Sequence, residues 1–308
     1  MFLINEKDSA ALASHAMAYD AVRAALIDAV HPATANFPVV HGHGSDPGNR
    51  FTVKSGATPE LAGLKVGSYW PGNLAGGLPC HNSIIFLFDQ SRGVIDSAVE
   101  AGTLNAYRTA AADAVATDAL ARADASVLTV FGTGHQARYE VGAVARIRPI
   151  KEILVVGRTE AATQNMVEAL RANALPARAC QAQAACRAAD IIIATTTARA
   201  PLFDAAWVRP GTHVSSMGSD AVGKQELPVE LLMAGRLFCD LPAQSRRIGE
   251  FQHADEDKAV FAIGDVLSGS VTGREAASDI TIFDSSGLAI QDLYVAKAVI
   301  DAWRRQHA

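Results

Sequence analysis

The segment Val127–Ala137, VLTVFGTGHQA, decides the fold class of this chain. A strand-like apolar run ends in the pattern Gly132-x-Gly134-x-x-Ala137, and an Ala-rich helical pattern follows at once. Gly132 permits a tight turn, Gly134 lets the backbone approach a pyrophosphate, and the small Ala137 lets the helix pack close to the strand. The unpaired N–H groups of the helix N-terminus favour an anion there. Because a strand precedes the pattern and a helix follows it, the segment predicts a dinucleotide-binding turn.

Length and composition fit a globular protein with one large domain or two ordinary ones. The 308 residues are 49% apolar and 19% charged, which is enough apolar material for a sizeable core. The net charge of −5 gives no basic footprint for nucleic acid, and no apolar run reaches the roughly 20 residues of a membrane span. The N-terminal stretch MFLINEKDSA carries charges where a secretory signal would be apolar. The four cysteines have neither CxxC nor zinc spacing. We therefore expect a cytoplasmic protein with reduced thiols and no nucleic-acid or membrane partner.

The pattern of secondary structure changes near residue 122. Before it, a helical pattern covers Asp8–Val30. The strand-like runs that follow predict mostly antiparallel β structure: Arg50–Lys54, Leu64–Trp70, Ile84–Asp89 and Val94–Glu100. A long Ala-rich helix, with Thr103 as its expected cap, then runs to about Ala121. After Arg122, strand-like runs alternate with helical or loop segments: Val127–Phe131, Ile153–Gly157, Ile191–Thr195, His213–Met217, Arg236–Asp240 and Ile280–Asp284. This alternation is typical of a doubly wound parallel sheet.

A final helix over Leu288–Arg304 carries an apolar stripe that predicts packing on the first domain. The sequence therefore predicts an α/β protein of two domains. Residues 122–287 form a dinucleotide-binding domain with a Rossmann-type doubly wound parallel sheet. Residues 1–121 and 288–308, from both chain ends, form an α+β substrate-binding domain. Clefts between two such domains are common ligand sites.

Further motifs occur along the chain between residues 50 and 296. They are KVGSYWPGN at Lys65–Asn73, YRTAA at Tyr107–Ala111, SMGSD at Ser216–Asp220, GKQEL at Gly223–Leu227, and IFDSSG at Ile282–Gly287 with Gln291-Asp292. With the turn at Gly132–Ala137, this set resembles the ornithine cyclodeaminase/mu-crystallin family. The resemblance implies NAD(P)-dependent hydride transfer at the Cα of an amino or imino acid. It also implies a homodimer built through the α+β domain, which then serves for dimerisation as well as substrate binding.

The resemblance implies roles for three charged residues. Arg108 would bind the substrate α-carboxylate, for which a planar guanidinium is suited. Lys65 would contact the carboxylate and the reactive Cα–N group, where it can polarise or protonate. Asp220, after the strand HVSSMG, would orient the substrate nitrogen and relay a proton, so Lys65 and Asp220 are the expected catalytic residues. From the residues alone, a solvated helix arginine, an edge-strand lysine and a loop aspartate are the alternatives. Lys224 is expected to be structural.

The expected cofactor is NAD(P)(H). The residues expected to contact it are Thr109, Gly132, Thr133, Gly134, His135, Gln136, Ala137, Arg158, Thr159, Thr195, Met217, Gly218, Ser286 and Gly287. The second strand of the predicted sheet ends in Gly157-Arg158-Thr159, where NAD enzymes commonly have an Asp or Glu for the ribose 2′-OH. Arg158 and Thr159 can accept a 2′-phosphate, which favours NADP(H). The alternative is that Glu160 reaches the ribose and Arg158 stacks on the adenine.

One departure from the family's pattern concerns the substrate side chain. A second substrate-binding arginine, which the family has near the position of Val39–His41, is absent. The segment instead reads HGHGSDPGNRFTVKSG and offers His43, Arg50 and Lys54. We expect these cations to reach a second acidic group, as in iminosuccinate, whose reduction gives L-aspartate. A plain surface loop is the alternative, and no metal is expected at His41 and His43, since no third ligand is suggested.

The sequence thus predicts an NAD(P)H-dependent reductase that converts an imino acid to an L-amino acid. The enzymatic alternatives are ornithine cyclodeaminase, which forms proline and ammonia without net redox change, and L-alanine dehydrogenase. Asp220 favours the cyclodeaminase slightly, whereas the missing arginine and the Arg158-Thr159 tip oppose it. A nucleotide-binding protein without catalysis is the alternative from another class. The joint presence of Lys65, Arg108 and Asp220 argues against it.

Overall fold

The computed structural model describes residues 1–307, with Leu74 described by its backbone alone, and it divides into two compact units. Unit 1 consists of Met1–Arg108 together with the residues from Leu288 onward, and unit 2 is Thr109–Gly287. The first border between the units falls inside the long Ala-rich helix, whereas the sequence predicts a domain border at 121/122. Each unit has its own sheet.

Within residues 1–108, unit 1 has a seven-stranded sheet. Its strands are β1 (Phe2–Ile4), β2 (Ala35–Asn36), β3 (Val40–His43), β4 (Arg50–Ala57), β5 (Ala62–Tyr69), β6 (His81–Asp89) and β7 (Val94–Glu100). The order is β1-β7-β6-β5-β4-β2, and β3 also pairs with β4. β1 is parallel to β7, while β2 to β7 pair in antiparallel fashion. The four predicted strands and their antiparallel pairing are therefore confirmed.

The helical pattern over Asp8–Val30 forms two helices instead of one. They are α1 (Glu6–Leu12) and α2 (His15–Ala29). The backbone is extended between them, and Ser14 starts the second helix by accepting a hydrogen bond from the N–H of Met17 at 3.1 Å. A serine that caps a helix competes with continuation of the preceding one, which explains the break.

The long Ala-rich helix, α3 (Gly102–Leu120), forms as predicted, but its cap differs from the prediction. The carboxylate of Glu6 accepts the N–H groups of Gly102 and Thr103, at 2.8 and 2.7 Å. A carboxylate at a helix N-terminus satisfies these otherwise unpaired donors and complements the helix dipole. Glu6 is distant in sequence, so the local pattern around Thr103 contained no sign of it.

Unit 2 has an eight-stranded parallel sheet within residues 109–287. Its strands are β8 (Val127–Phe131), β9 (Glu152–Val156), β10 (Ala177–Ala179), β11 (Ile191–Ala194), β12 (His213–Ser216), β13 (Arg236–Cys239), β14 (Val260–Ala262) and β15 (Thr281–Asp284). Its helices are α4 (His135–Ile147), α5 (Glu160–Ala172), α6 (Ala182–Ala188), α7 (Val229–Ala234), α8 (Pro242–Ile248) and α9 (Ile263–Leu267). The strand order is β10-β9-β8-β11-β12-β15-β13-β14.

This order confirms the predicted Rossmann-type sheet. The strand order reverses between β8 and β11, and ligands of such sheets bind beyond the carboxyl ends of the strands at this switch point. The central strands read as apolar runs because both sheet faces are covered; Ile191, Ile192 and Ile193 are fully buried. β10 and β14, three residues each, were not predicted, since so short a segment carries no periodicity.

The last helix of the chain, α10 (Ala289–Gln306), packs on the sheet of unit 1. A Cβ added to Gly56 of β4 would lie 3.0 Å from the side chain of Ile290. A Cβ added to Gly63 of β5 would lie 2.9 Å from that of Leu293. The two glycines are cross-strand partners and therefore point to one face of the sheet. α10 thus approaches that face closely, where larger side chains would hold it away.

Candidate functional site

The predicted dinucleotide turn joins β8 to α4. Gly132 directly follows β8 with φ of 123°, and a Cβ there would lie 2.6 Å from the carbonyl oxygen of Thr195. Only glycine adopts this conformation without strain. Gly134 is the N-cap of α4, and outside its own chain neighbours no atom of residues 1–307 lies within 4 Å of its Cβ position. The fold itself does not need glycine at Gly134, whereas close approach of a pyrophosphate does, so the turn fits the expected cofactor.

The first turn of α4 and the tip of β9 complete this corner of the sheet. Ala137 is fully buried, which lets α4 pack close to its strand. The amide of Gln136 donates to the Glu140 carboxylate at 2.8 Å. A Cβ on Gly157 would lie 2.6 Å from Cγ2 of Thr133, so the turn and the β9 tip are in contact. The structure therefore brings the two predicted cofactor segments together.

Three residues that follow β9 are exposed, namely Arg158, Thr159 and Glu160, and Thr159 has a structural role of its own. The hydroxyl of Thr159 accepts a hydrogen bond from the N–H of Ala162 at 3.3 Å and so caps α5. Arg158 precedes this cap and Glu160 is the first residue of α5. Both alternatives for the ribose, a cation and a carboxylate, therefore stand at the same tip.

The other expected cofactor residues of unit 2 are spread over several loops. Thr195 directly follows β11, Met217 and Gly218 follow β12, and Ser286 and Gly287 follow β15. The carboxyl ends of parallel strands meet at one sheet edge, so these residues lie along the edge that also holds the turn. Two further expected contacts stand on helices: Thr109 is half-buried in α3, and His135 is exposed as the first residue of α4.

Asp220 lies in the loop after β12, with 59% of its side chain exposed. Nζ of Lys224 donates to its Oδ1 at 2.5 Å and to the carbonyl oxygen of Gly218 at 3.0 Å. Lys224 thus holds the loop together, which fits the structural role expected for it. An exposed ion pair is worth up to about 1 kcal/mol, so little free energy opposes replacement of Lys224 by another cationic group.

In unit 1, the structure brings Lys65 of β5 and Arg108 of α3 together around one carboxylate. Lys65 Nζ lies 2.9 and 2.8 Å from the two oxygens of Asp292, in the first turn of α10, and Arg108 Nε lies 3.1 Å from Oδ1. The side-chain oxygen of Asn105 accepts from both cations, at 2.9 Å from Lys65 and 3.1 Å from Arg108. All three charged groups are buried. With both cations protonated the cluster carries one net positive charge, which suits one further carboxylate.

Burial and neighbouring charges shift the pKa values of this cluster. Burial lowers the pKa of Lys65 to about 7, with Arg108 and Lys54 adding to the decrease and Asp292 opposing it. Burial would raise the pKa of Asp292, but its attraction to Lys65 and Arg108 holds it below the ordinary value. An amine with a pKa near 7 is present in both protonation states at neutral pH, which is the property that proton transfer requires.

The register of the sheet places the three additional predicted cations on the face that carries Lys65. Lys54 of β4 is the cross-strand partner of Lys65, and Arg50 lies four residues earlier on the same strand. His43 of β3 is in turn the partner of Arg50. Cross-strand partners and residues two or four apart share a face, so the cations form a row on it. Lys54 is half-buried, while Arg50 and His43 are exposed.

Sequence reasoning missed two residues of the Lys65 cluster. Asp292 stood in the quoted Gln291-Asp292 motif, and a carboxylate within the apolar stripe of a helix is a signal of a buried partner. Asn105 precedes Arg108 by three residues on α3, a spacing at which helix side chains meet. Neither signal identifies the partner, because Lys65 is 40 residues from Asn105 and 227 from Asp292.

The part of the chain that the structure describes has neither a metal-binding cluster nor a membrane-spanning helix. Among residues 1–307, no three His, Cys, Asp or Glu side chains are grouped so that they could hold a metal ion. Over the same residues, no helix combines the length and the apolar character that a membrane crossing needs.

This chain resembles known proteins of one family in both sequence and structure. The model of the ornithine cyclodeaminase/mu-crystallin family matches residues 7–307. The iminosuccinate reductase of Paracoccus denitrificans is 35% identical over 309 residues, which cover 98% of this chain and 96% of that protein. Its crystal structure with NAD⁺ superimposes with a TM-score of 0.94 at 34% identity, covering 100% of this chain and 97% of that one.

Two other solved structures have the same fold over the whole chain. An archaeal alanine dehydrogenase dimer with bound NAD has a TM-score of 0.93 at 30% identity, covering 100% of this chain and 97% of that one. The Delta(1)-pyrroline-2-carboxylate reductase of Thermococcus litoralis, in complex with NADH and L-proline, has a TM-score of 0.91 at 26% identity. The match covers 100% of this chain and 99% of that one.

The fold, the dinucleotide turn and these matches define an NAD-dependent oxidoreductase that acts on imino or amino acids. The family match extends over nearly all of the sequence. The chain belongs to the ornithine cyclodeaminase/mu-crystallin family, and the resemblance seen in its motifs is confirmed.

Proposed function

We propose that this protein reduces an imino acid to an L-amino acid with a reduced nicotinamide cofactor, and that its substrate is iminosuccinate, which gives L-aspartate. The observation that carries the proposal is the buried cluster of Lys65 and Arg108, in which Asp292 balances only one of two positive charges. The uncompensated charge suits the substrate α-carboxylate. Arg108 would hold that carboxylate through paired N–H donors.

The reduction adds a hydride to Cα and a proton to nitrogen. NADH or NADPH, when bound, supplies the hydride. Lys65, with a pKa of about 7, would donate a proton to the imine nitrogen and so make the carbon electrophilic. Asp220 would orient that nitrogen, as the family resemblance implies. Fixed positive charge that is already in place when the anionic substrate arrives lowers the barrier, since no reorganisation is needed during the reaction.

The second carboxylate of iminosuccinate would be recognised by the cations on the Lys65 face of the sheet. Lys54 pairs across the strands with Lys65, and Arg50 and His43 continue the row. A monocarboxylic imino acid has no group for these cations to bind. The 35% sequence identity to the Paracoccus denitrificans iminosuccinate reductase supports the same substrate.

The test is cofactor oxidation followed at the absorbance band of reduced nicotinamide. Ammonia with oxaloacetate, ammonia with pyruvate, and a cyclic imine are compared, with L-ornithine and oxidised cofactor in parallel. Turnover that needs both ammonia and oxaloacetate, with L-aspartate as product, is the expected result. Faster turnover with pyruvate would establish an alanine dehydrogenase, and proline and ammonia from ornithine would establish a cyclodeaminase; either result would refute the proposal.

A selectivity test separates binding of the second carboxylate from general activity. Lys54→Gln should reduce kcat/KM for the oxaloacetate reaction more strongly than for the pyruvate reaction, because only the former substrate offers a second anion. Lys7→Gln, at an exposed position of α1, is the matched control and should leave both values unchanged. An equal loss with both substrates would remove Lys54 from side-chain recognition.

The preference between the two cofactors is a separate part of the proposal. Arg158 and the Thr159 hydroxyl favour NADPH, whereas the solved relatives hold NAD⁺ or NADH and give that preference no support. If Arg158 meets a 2′-phosphate, Arg158→Ala should raise the KM for NADPH and spare that for NADH. A wild-type protein with a lower KM for NADH would refute the preference for NADPH.

We also propose a homodimer, since the archaeal alanine dehydrogenase relative was solved as a dimer. The sheet of unit 1 offers an apolar face for a second copy, opposite the face that carries Lys65. Along it lie the cross-strand partners Val40, Val53, Val66 and Ile84, of which Val40 is 57% exposed and the others are half-buried. An apolar patch of this kind on a folded unit is typical of a protein interface.

A further inference from the structure

Three buried carboxylates in unit 2 have no part in the reaction proposed above. Glu226 lies in the segment between β12 and α7, Glu250 follows α8, and Asp284 ends β15. Each is fully buried, and burial raises the pKa of each above its ordinary value. Buried acids are rare unless hydrogen bonds hold them, so the bonds of these three show what the group does.

Glu226 ties together two loops that carry expected cofactor contacts. Its Oε1 accepts the N–H of Thr196 at 2.6 Å and the Thr196 hydroxyl at 2.8 Å, in the loop after β11. Its Oε2 accepts the N–H of Gly218 at 2.8 Å, in the loop after β12. Thr195 and Met217 directly precede these bonded residues. One carboxylate therefore fixes the spacing of both loops at the carboxyl edge of the sheet.

Glu250 fixes Glu226 in turn. Its Oε1 accepts the N–H of Leu227 at 2.7 Å, and the N–H of Glu226 lies 3.0 Å from both of its oxygens. The backbone N–H of Glu250 donates to Asp284 Oδ1 at 2.9 Å. The chain of contacts thus runs from the end of β15 to the loops after β11 and β12.

The hydroxyl of Ser216 reveals how protons are distributed in this group. Ser216 Oγ lies 2.9 Å from Oε2 of Glu226 and 3.0 Å from Oε2 of Glu250. A hydroxyl has one proton to donate, so both contacts are full two-centre hydrogen bonds only if one of the two carboxyls carries a proton and donates it to Oγ. Glu226 accepts three other donors through its two oxygens, which favours its ionised form. The proton therefore belongs on Oε2 of Glu250.

We propose that Glu226 is a positioning residue for cofactor binding, which holds the loops after β11 and β12 as an ionised acceptor, and that Glu250 stays protonated and locks Glu226 in place through Ser216. The inference rests on the proposed function in one respect, namely that these loops contact the nicotinamide cofactor.

Close packing makes the loops after β11 and β12 sensitive to the position of Glu226. A Cβ on Gly218 would lie 2.2 Å from the carbonyl oxygen of Thr196 and 2.6 Å from Oε1 of Glu226. Likewise, a Cβ on Gly132 of the dinucleotide turn would lie 2.6 Å from the carbonyl oxygen of Thr195. A displaced Glu226 must therefore shift backbone that borders the turn itself.

The proton assignment predicts unequal effects of two matched substitutions. In Glu250→Gln, the amide nitrogen can donate to Ser216 while the amide oxygen accepts the backbone N–H groups, so the dissociation constant for NADH should stay within about twofold of wild type. In Glu226→Gln, an NH₂ group must face donors, so the dissociation constant should rise about tenfold or more, equivalent to about 1.4 kcal/mol. The dissociation constants of both variants are measured by fluorescence titration of the purified proteins. Thermal unfolding gives the melting temperature of each.

Similar dissociation constants for the two variants would overturn the inference, and so would a lowered melting temperature of Glu226→Gln with unchanged NADH binding. If Glu226→Gln does not fold, infrared difference spectroscopy decides. The carbonyl band of a protonated carboxylic acid should be present in wild type at neutral pH and weaker in Glu250→Gln, and an unchanged band would refute the protonated Glu250. Should the variants behave as expected while no imino acid is reduced, only the proposed function fails.

Discussion

Replacement of Asp292 by asparagine tests how the structure sets the proton affinity of Lys65. The carboxylate lies 2.8 Å from Lys65 Nζ, and at an effective dielectric constant of about 20 two unit charges at that distance attract by about 6 kcal/mol. At about 1.4 kcal/mol per unit, this corresponds to about four pKa units. The amide oxygen retains part of the attraction. We therefore expect the pKa of Lys65 to fall by at least about one unit from its value near 7.

The sign of the effect on activity follows from the proposed role. If protonated Lys65 is the active form, wild-type kcat/KM falls as the pH rises through about 7. In Asp292→Asn the same limb should move to lower pH, and activity at neutral pH should fall because less Lys65 carries a proton. The assay is kcat/KM against pH for the reductive reaction. A limb at the same pH in both proteins would refute the argument.

Stability provides a second measure of the same substitution. Removal of one partner from a buried ion pair typically costs about 3–5 kcal/mol, because a buried charge is left uncompensated. Lys65 can escape part of this penalty by losing its proton, which becomes easier as the pH rises. The loss in free energy of unfolding for Asp292→Asn should therefore be larger at low pH than at high pH. Denaturant unfolding at several pH values measures it.

A matched control lies on the same helix. Asp301 of α10 pairs with Lys297 at 2.6 Å, but 49% of the Lys297 side chain and 35% of the Asp301 side chain are exposed. Solvent screens such a pair, so Asp301→Asn should change stability by less than about 1 kcal/mol and leave the pH profile unchanged. Equal effects of the two Asp→Asn changes would show that helix α10, and not the Lys65 cluster, determines the result.

Three further predictions follow from single features of the fold. Gly132→Ala should lower stability by about 1–3 kcal/mol and weaken NADH binding, because φ of 123° and the Thr195 carbonyl oxygen oppose a Cβ; unchanged melting temperature and affinity would contradict this. Burial raises the pKa of Asp113 to about 6, so its stabilising contribution is present below about pH 4 and is lost as the pH rises through 6. Asp113→Asn should abolish that loss, which is on the order of 1–3 kcal/mol in denaturant unfolding. A variant whose free energy of unfolding has the same pH dependence as that of wild type would contradict this. Val53→Lys should convert the proposed dimer to monomers, as measured by light scattering, with its secondary structure retained. A dimer that persists would exclude the apolar sheet face around Val53 as the dimer interface.

The dinucleotide-binding unit was predictable because its signals are local. Gly132, Gly134 and Ala137 lie within one strand–turn–helix segment, and the requirement at each is set by its immediate neighbours. The alternation of strands and helices after Arg122 likewise depends on side-chain periodicity within each element. These local patterns can be recognised in the sequence without knowledge of the tertiary contacts.

The Lys65 cluster was predictable only in part. Family motifs indicate Lys65 and Arg108, but Asp292, the carboxylate that joins them, lies 227 residues from Lys65 in the chain. Which groups meet depends on the register of β4 and β5 and on the close approach of α10. A shift of the register by one residue would turn Lys65 to the other face of the sheet.

The sequence by itself therefore determined the fold class, the dinucleotide turn and the family, since these depend on contiguous patterns. Only the tertiary structure decided that Asp292 and Asn105 complete the Lys65 cluster and that Glu6 caps α3. The same holds for Glu226, which connects the loops after β11 and β12. The physical reason is shared by all of them. A buried polar group takes whichever partner the packing of distant elements brings within hydrogen-bond distance, and no local pattern records that partner.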